Sequence, residues 1–254
     1  MNRLVKWTAA MAMAALLPVA ALAAEQPATS RVQVTVYHLK PGKTDAWTKA
    51  FKDNVIPAVK KNGIPWYSVS EQIFGDRPVF TIVRPLDKFA ELDGPGPLER
   101  AGLTQKQRDA FNAIVDDCVV SQKRFIGNVQ NEFAVPATGP APIRVMLSVR
   151  ANPGQGEALR ALLRTDVLPA MRQAKQAGKI AGWGVGTSGQ GNPGLTAIWT
   201  DYPNLAALDA GNVMAQTMGA PAYALFQARL AQLAVVEDST VSRAVAELSY
   251  APAN

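Results

Sequence analysis

The 254-residue sequence has one cysteine and one histidine, and those two scarcities remove most familiar chemistries. A lone cysteine cannot form an internal disulfide. A lone histidine rules out a His-rich zinc site, and neither a CxxC pair nor an HExxH motif is present. A serine or cysteine triad would have to use His38 itself, and there is no GxSxG elbow. The glycine-rich stretch 182–191 lacks the lysine and the strand-loop-helix setting of a phosphate cradle, so it reads as a hairpin. Charge of one sign is also scarce: 26 Lys and Arg against 20 Asp and Glu give +6, with no dense basic block for nucleic acid. No metal or cofactor is expected. The only long apolar run, residues 7–22, is interrupted by Pro18 and is short for a membrane span, which needs about 20 apolar residues. Arg3 and Lys6 before it, and Ala21-Leu22-Ala23 after it, mark residues 1–23 as a secretory signal peptide. The expected product is exported to a bacterial periplasm, with no membrane partner after cleavage and a net charge of 6 − 2 = +4.

What the sequence does contain is one unit written twice. Residues 31–47, RVQVTVYHLKPGKTDAW, match 143–159, IRVMLSVRANPGQGEAL. Val55, Pro57 and Ala58 then meet Val167, Pro169 and Ala170. Trp66 meets Trp183, Phe111 meets Phe226, and Glu132 meets Glu247. A repeat of this length indicates two copies of one small domain, not a solenoid. The copies span 31–135 and 143–250, joined by a Pro/Gly/Ala linker at 136–142. A residue kept in both copies points to scaffold. One that differs is freer to specialise.

Each copy opens on an alternating β-branched strand, 32–39 or 143–150, and turns at Pro41-Gly42 or Pro153-Gly154. A helix follows, with Thr44 as its expected N-cap in copy one and Trp47, Phe51 and Val55 on one face. Pro57 and Pro169 then predict a kink or restart near 54–57 and 166–169. Two strands come next (66–74 and 78–85; 181–188 and 194–200), then a short helix and a main helix. The main helix runs over 105–122, capped by Thr104 with Gln107, and over 222–236 behind Pro221. Last strands are expected at 125–134 and 241–249. The order β-α-β-β-α-β is the ferredoxin-like plan, an α+β fold with helices on one sheet face. Val32, Val34 and Val36 face one way while Tyr37 and Leu39 face the other, so the helix-free face also needs cover. The economical solution pairs two tandem domains sheet to sheet, as an intramolecular dimeric α/β barrel.

The segment Tyr37-His38-Leu39-Lys40-Pro41-Gly42, followed by Val55-Ile56-Pro57, resembles the opening of NIPSNAP-type domains. The resemblance extends to the dimeric α/β-barrel superfamily. That superfamily includes antibiotic-biosynthesis monooxygenases, haem-degrading proteins, muconolactone isomerases and, as fused duplicates, chlorite dismutases. It implies a barrel whose pocket holds a small molecule. The chain departs from the pattern in two places. The family's first-strand arginine is Thr35 here, and Val149 replaces the tyrosine in copy two. A haem-binding member is expected to supply an axial histidine, usually from the second copy, whereas His38 lies in the first.

Six residues are candidates for ligand binding: His38, Trp66, Arg84, Arg150, Trp183 and Trp199. His38 and its counterpart Arg150 end the first strands, and each offers a cation or proton carrier there. The tryptophans combine apolar area with one donor, which suits a cavity lining as well as core packing. Trp199 is read as the counterpart of Arg84. If Arg84 or Arg150 points inward, it suits a carboxylate or enolate. Cys118, opposite Leu233, reads as buried core, and Asp116-Asp117 as a solvated helix face. The expected function is binding of a small apolar or aromatic ligand in the periplasm. The alternative is a cofactor-independent monooxygenase or isomerase acting on a small aromatic or acidic substrate. A haem protein ranks below both. Self-association is left open.

Overall fold

The computed structural model describes residues 29–75, 78–137, 141–191 and 193–251. The expected signal peptide and residues 138–140 of the expected linker lie outside them.

The first strand, β1 (Thr29–Leu39), turns at Gly42, whose φ of 75° places it in the left-handed region that glycine adopts without strain. Gly154, its counterpart, has φ 76°. A helix then runs through α1 (Thr44–Ala50), one π-helical turn (Phe51–Val55) and α2 (Ile56–Lys61). The π turn is the kink that Pro57 forces. A proline cannot donate back to the fourth residue before it, so the turn widens by one residue. The second half repeats the device with α5 (Gly156–Leu162), a π turn (Leu163–Val167) and α6 (Leu168–Gln176).

The hairpin β2 (Ser68–Phe74) and β3 (Val79–Pro85) follows, then a 3-10 turn (Phe89–Leu92), α3 (Pro97–Arg100), α4 (Gln105–Cys118) and β4 (Val119–Gln130). Thr104 and Gln107 form the expected capping box at the start of α4. The second half runs β5 (Ile143–Ala151), the kinked helix, β6 (Gly182–Ser188), β7 (Leu195–Tyr202), α7 (Ala206–Asp209), α8 (Val213–Met218), α9 (Ala220–Leu233) and β8 (Ala234–Ala244). Two expectations need correction. Both main helices stop three or four residues early, and both last strands start six or seven residues early, at Val119 and Ala234. The β-branched pairs Val119-Val120 and Val235-Val236 take strand pairing with β1 and β5 in preference to another helical turn. Thr44 is also the first helical residue, not the cap. Lys43 takes the cap position and makes no side-chain bond.

All strands pair antiparallel and close an eight-stranded barrel in the order β1-β3-β2-β8-β5-β7-β6-β4. Within each half the run is the same: last strand, first, third, second. Two seams join the halves, β2 to β8 and β4 to β6. Each half then packs helices on the outside of its four strands over its own apolar core.

The chain exchanges short segments across the seams. After β4, Val135 bridges to Trp183, and Glu132 binds Arg160 and Arg164 of the second half. After β8, Tyr250 bridges to Tyr67, and Glu247 binds Lys52 of the first half at 2.7 Å. Glu132 and Glu247 thus each tie one half's tail to the other half's helix.

Candidate functional site

The barrel strands have two faces, and their register fixes what each carries. On β1, Gln33, Thr35, Tyr37 and Leu39 point out toward the first-half helices. Val32, Val34, Val36 and His38 alternate with them and face the barrel interior. The ladders set Arg84 opposite Gln33, Ile82 opposite Thr35 and Phe80 opposite Tyr37 on β3. On the other side, β4 sets Arg124 opposite Thr35 and Gln122 opposite Tyr37.

Above this face the helices do not close down. They leave a cavity of about 590 Å³. Its apolar walls come from Phe51, Val55 and Val59 on the kinked helix and from Phe111 and Val115 on α4. The π turn thus delivers Phe51 and Val55 to the site. The polar floor is Gln33, Thr35, Tyr37, Tyr67, Arg84 and Arg124. Residues from 92 to 100, with Gly94-Pro95-Gly96-Pro97, form the rim. Arg124 and Gln122 are exposed, so the cavity meets solvent on that side.

Arg84 is the best-held cation in the cavity. Its side chain is only 14% exposed. Nε donates to Gln33 Oε1 at 2.7 Å and Nη1 donates to Pro85 O at 3.3 Å. The nearest carboxylate, Glu91, stands 4.0 Å away. Burial depresses the Arg84 pKa, opposed chiefly by Glu91, while Arg100 and Arg124 depress it further. It remains charged, since arginine starts so high. Tyr37 is buried, and its pKa is raised by desolvation against the opposing pull of the nearby Arg124. Tyr67 is pushed up more strongly, again mainly by burial. Both hydroxyls are therefore neutral donors at physiological pH.

The second half has no such floor. Its ladder places Val145, Leu147 and Val149 where the first half has Gln33, Thr35 and Tyr37. Thr200 holds the place of Arg84, and Ser239 that of Arg124. Val149 is fully buried in an apolar core with Leu162, Met171 and Trp183.

Of the six candidates, only Arg84 lines the cavity. His38 sits on the opposite face of β1. Arg150 pairs with Glu237 and donates to Pro193 O, away from the cavity. Trp66 is half-buried beside Tyr67, which is the residue that enters the site. Trp183 belongs to the second-half core. Trp199 faces the barrel interior, where its ring covers Gly184 and its guanidinium neighbour is Arg144, 5.4 Å from the ring centre. Two counterpart assignments are off by one residue. Val69 opposes Ile82 and Val185 opposes Ile198, so Trp183 corresponds to Tyr67, and Trp199 corresponds to Val83. With a period of two, that single step moves a side chain to the other face. Tyr67 and Arg124 escaped the sequence reading. Their signal was the alternation itself, once Tyr37 is known to face the helices. Cys118 is fully buried, as expected, and Asp116 and Asp117 are exposed.

No family model and no curated protein matches the chain. Solved structures do. A candidate monooxygenase from Lactobacillus acidophilus NCFM aligns over 85% of this chain and 93% of its own, with TM-score 0.56 and 12% identity. An anthrone oxidase-like protein aligns over 87% and 92%, with TM-score 0.56 and 12% identity. A haem-binding protein from Thermus thermophilus aligns over 86% and 92%, with TM-score 0.51 and 12% identity. The fold is that of the dimeric α/β barrels. At such identities the likeness carries the fold alone.

The residues around the cavity do not fit a haem. Its walls hold no histidine, cysteine or methionine, burial keeps Tyr37 and Tyr67 from the phenolate form that an axial tyrosine needs, and the chain's single histidine lies on the far face of β1.

Proposed function

We propose that this chain is an exported protein, built from two fused ferredoxin-like modules, that binds a small, largely apolar or aromatic molecule in the cavity of its first half. The asymmetry between the halves carries this reading. One sheet face holds six polar side chains under a cavity of about 590 Å³, and its counterpart carries the aliphatic Val145, Leu147 and Val149 packed with the second-half core. That volume lies within the about 300–1,000 Å³ common for ligand sites. A second reading, a cofactor-independent monooxygenase or isomerase, draws on Arg84, Arg124 and Tyr37. Those groups would hold an acidic substrate as its anion by position and electrostatics alone.

The halves supply their own control. N-phenyl-1-naphthylamine, a neutral apolar fluorophore, should bind saturably with one site per chain. Val115→Trp, which fills the first-half cavity, should abolish the fluorescence gain. Leu230→Trp, at the matching place on α9, should leave it intact. Equal loss in both variants, or no saturable site in the wild type, refutes the reading.

A further inference from the structure

The cavity floor has two cationic poles that are held apart. Arg84 is tied to Gln33 through Nε and leans toward Pro85 through Nη1, leaving Nη2 without a partner among the described residues. Arg124 stands close enough to Tyr37 to act on its hydroxyl and has no carboxylate partner among the described residues. Gln33 and Tyr37 share one face of β1 but stand four residues apart, about 13 Å along a strand. The arginines themselves flank β1 on β3 and β4, two residues out of step. Ideal strand spacing puts their Cα atoms about 12 Å apart. The two side chains rise from strands on either side of β1, and Arg84 is tied back to Gln33.

Between the poles the floor is uncharged and the roof is aromatic and aliphatic: Thr35 and Ile82 below, Phe51, Val55 and Phe111 above. The poles also differ in kind. Arg84 is deeply set, and its open Nη2 edge suits a carboxylate. At the other pole Tyr37 keeps its proton beside Arg124 and can donate it. That pole suits a neutral or partly ionised oxygen: a phenol, an enol or a quinone carbonyl.

We infer that the ligand is a flat aromatic acid with a second oxygen function at its far end. Its carboxylate sits on Arg84, its ring fills the space over Thr35, and its distal oxygen meets Tyr37 and Arg124. This rests on the cavity reading above and adds to it the number, kind and placement of the ligand's polar groups.

Isothermal titration with three matched probes tests the inference: 6-hydroxy-2-naphthoate, 2-naphthoate without the hydroxyl, and 6-hydroxy-2-naphthamide without the charge. In the wild type, removing either function should weaken binding by about tenfold or more. Arg84→Met should erase the advantage of acid over amide and leave the advantage of the hydroxyl. Arg124→Met should do the reverse. Arg84→Lys, which keeps the charge but loses the fork, should retain part of the acid preference. Acid and amide binding equally well to the wild type, while N-phenyl-1-naphthylamine still binds, overturns this inference alone. Both arginine variants weakening both functions to the same degree also overturns it. If neither the naphthalene probes nor the neutral fluorophore binds the wild type, the cavity reading itself has failed.

Discussion

Removing the acceptor that holds Arg84 should cost stability, and removing the arginine with it should return most of that cost. In Gln33→Val the Nε donor loses its 2.7 Å partner on a side chain only 14% exposed. A buried donor left unpaired costs about 1–3 kcal/mol, more when charged, and the remaining bond to Pro85 O and the Glu91 carboxylate offset some of this. The expected loss is about 2 kcal/mol, or roughly 4–8 °C in midpoint for a chain of this size. Arg84→Met alone leaves the buried Gln33 oxygen unpaired, at about 1 kcal/mol. The double variant replaces both partners with apolar groups and should lie within about 0.5 kcal/mol of wild type. The second half already uses such an arrangement, with Val145 opposite Thr200. Urea unfolding followed by tryptophan fluorescence and circular dichroism measures all three, and the double-mutant cycle isolates the coupling. If Gln33→Val costs less than about 0.5 kcal/mol, or if the double variant loses the full sum of the singles, then Arg84 is not a desolvated cation held for a ligand.

Three further outcomes follow from the structure. The Glu132 carboxyl is held below its usual range, first by its bond to Arg164 and also by Arg160. A depressed folded pKa gives stability that is present above the unfolded value near 4.3 and lost as pH falls through the folded one. Wild type should therefore lose more stability than Glu132→Gln between about pH 5 and pH 3, and parallel curves of unfolding free energy against pH would contradict the bridge. A Cβ at Gly184 would lie 2.3 Å from the Trp199 ring, so Gly184→Val should destabilise by about 1–3 kcal/mol or more. Trp199→Leu in the same chain should recover part of that loss, and no recovery would remove the contact as its cause. Trp47 is fully buried, its ring stacks on Phe51 at 4.0 Å, and its Nε1 lacks a partner. Trp47→Phe should accordingly cost far less than Trp47→Ala, for which about 3–5 kcal/mol is expected.

The parts of this fold that sequence reading reached are those set by local rules. Thr104 with Gln107 names a helix start because one side chain can satisfy another residue's backbone only at that spacing. Pro57 and Pro169 announce a break because the ring removes a donor, and the break takes the form of a π turn. Register was harder. Matching Trp66 with Trp183 looks natural on paper, but the ladders align Tyr67 with Trp183. Side-chain identity cannot set register by itself, because neighbouring strands and the length of the preceding helix decide it. The candidate site was half legible for the same reason. Comparing Gln33-Thr35-Tyr37 with Val145-Leu147-Val149 displays a polar face turned aliphatic, yet which face the helices cover depends on closure of the barrel. Arg124 stays hidden because the sequence reads as helix through residue 122, whereas strand β4 begins at Val119.

A crystal structure of the chain soaked with 2-naphthoate puts the central claim at most direct risk. Ring density is expected between Phe51 and Thr35, with the carboxylate against Arg84, and nothing over Val149 in the second half. Density inside the barrel or under the second-half helices, or a first-half cavity that stays empty at saturating ligand, would contradict it.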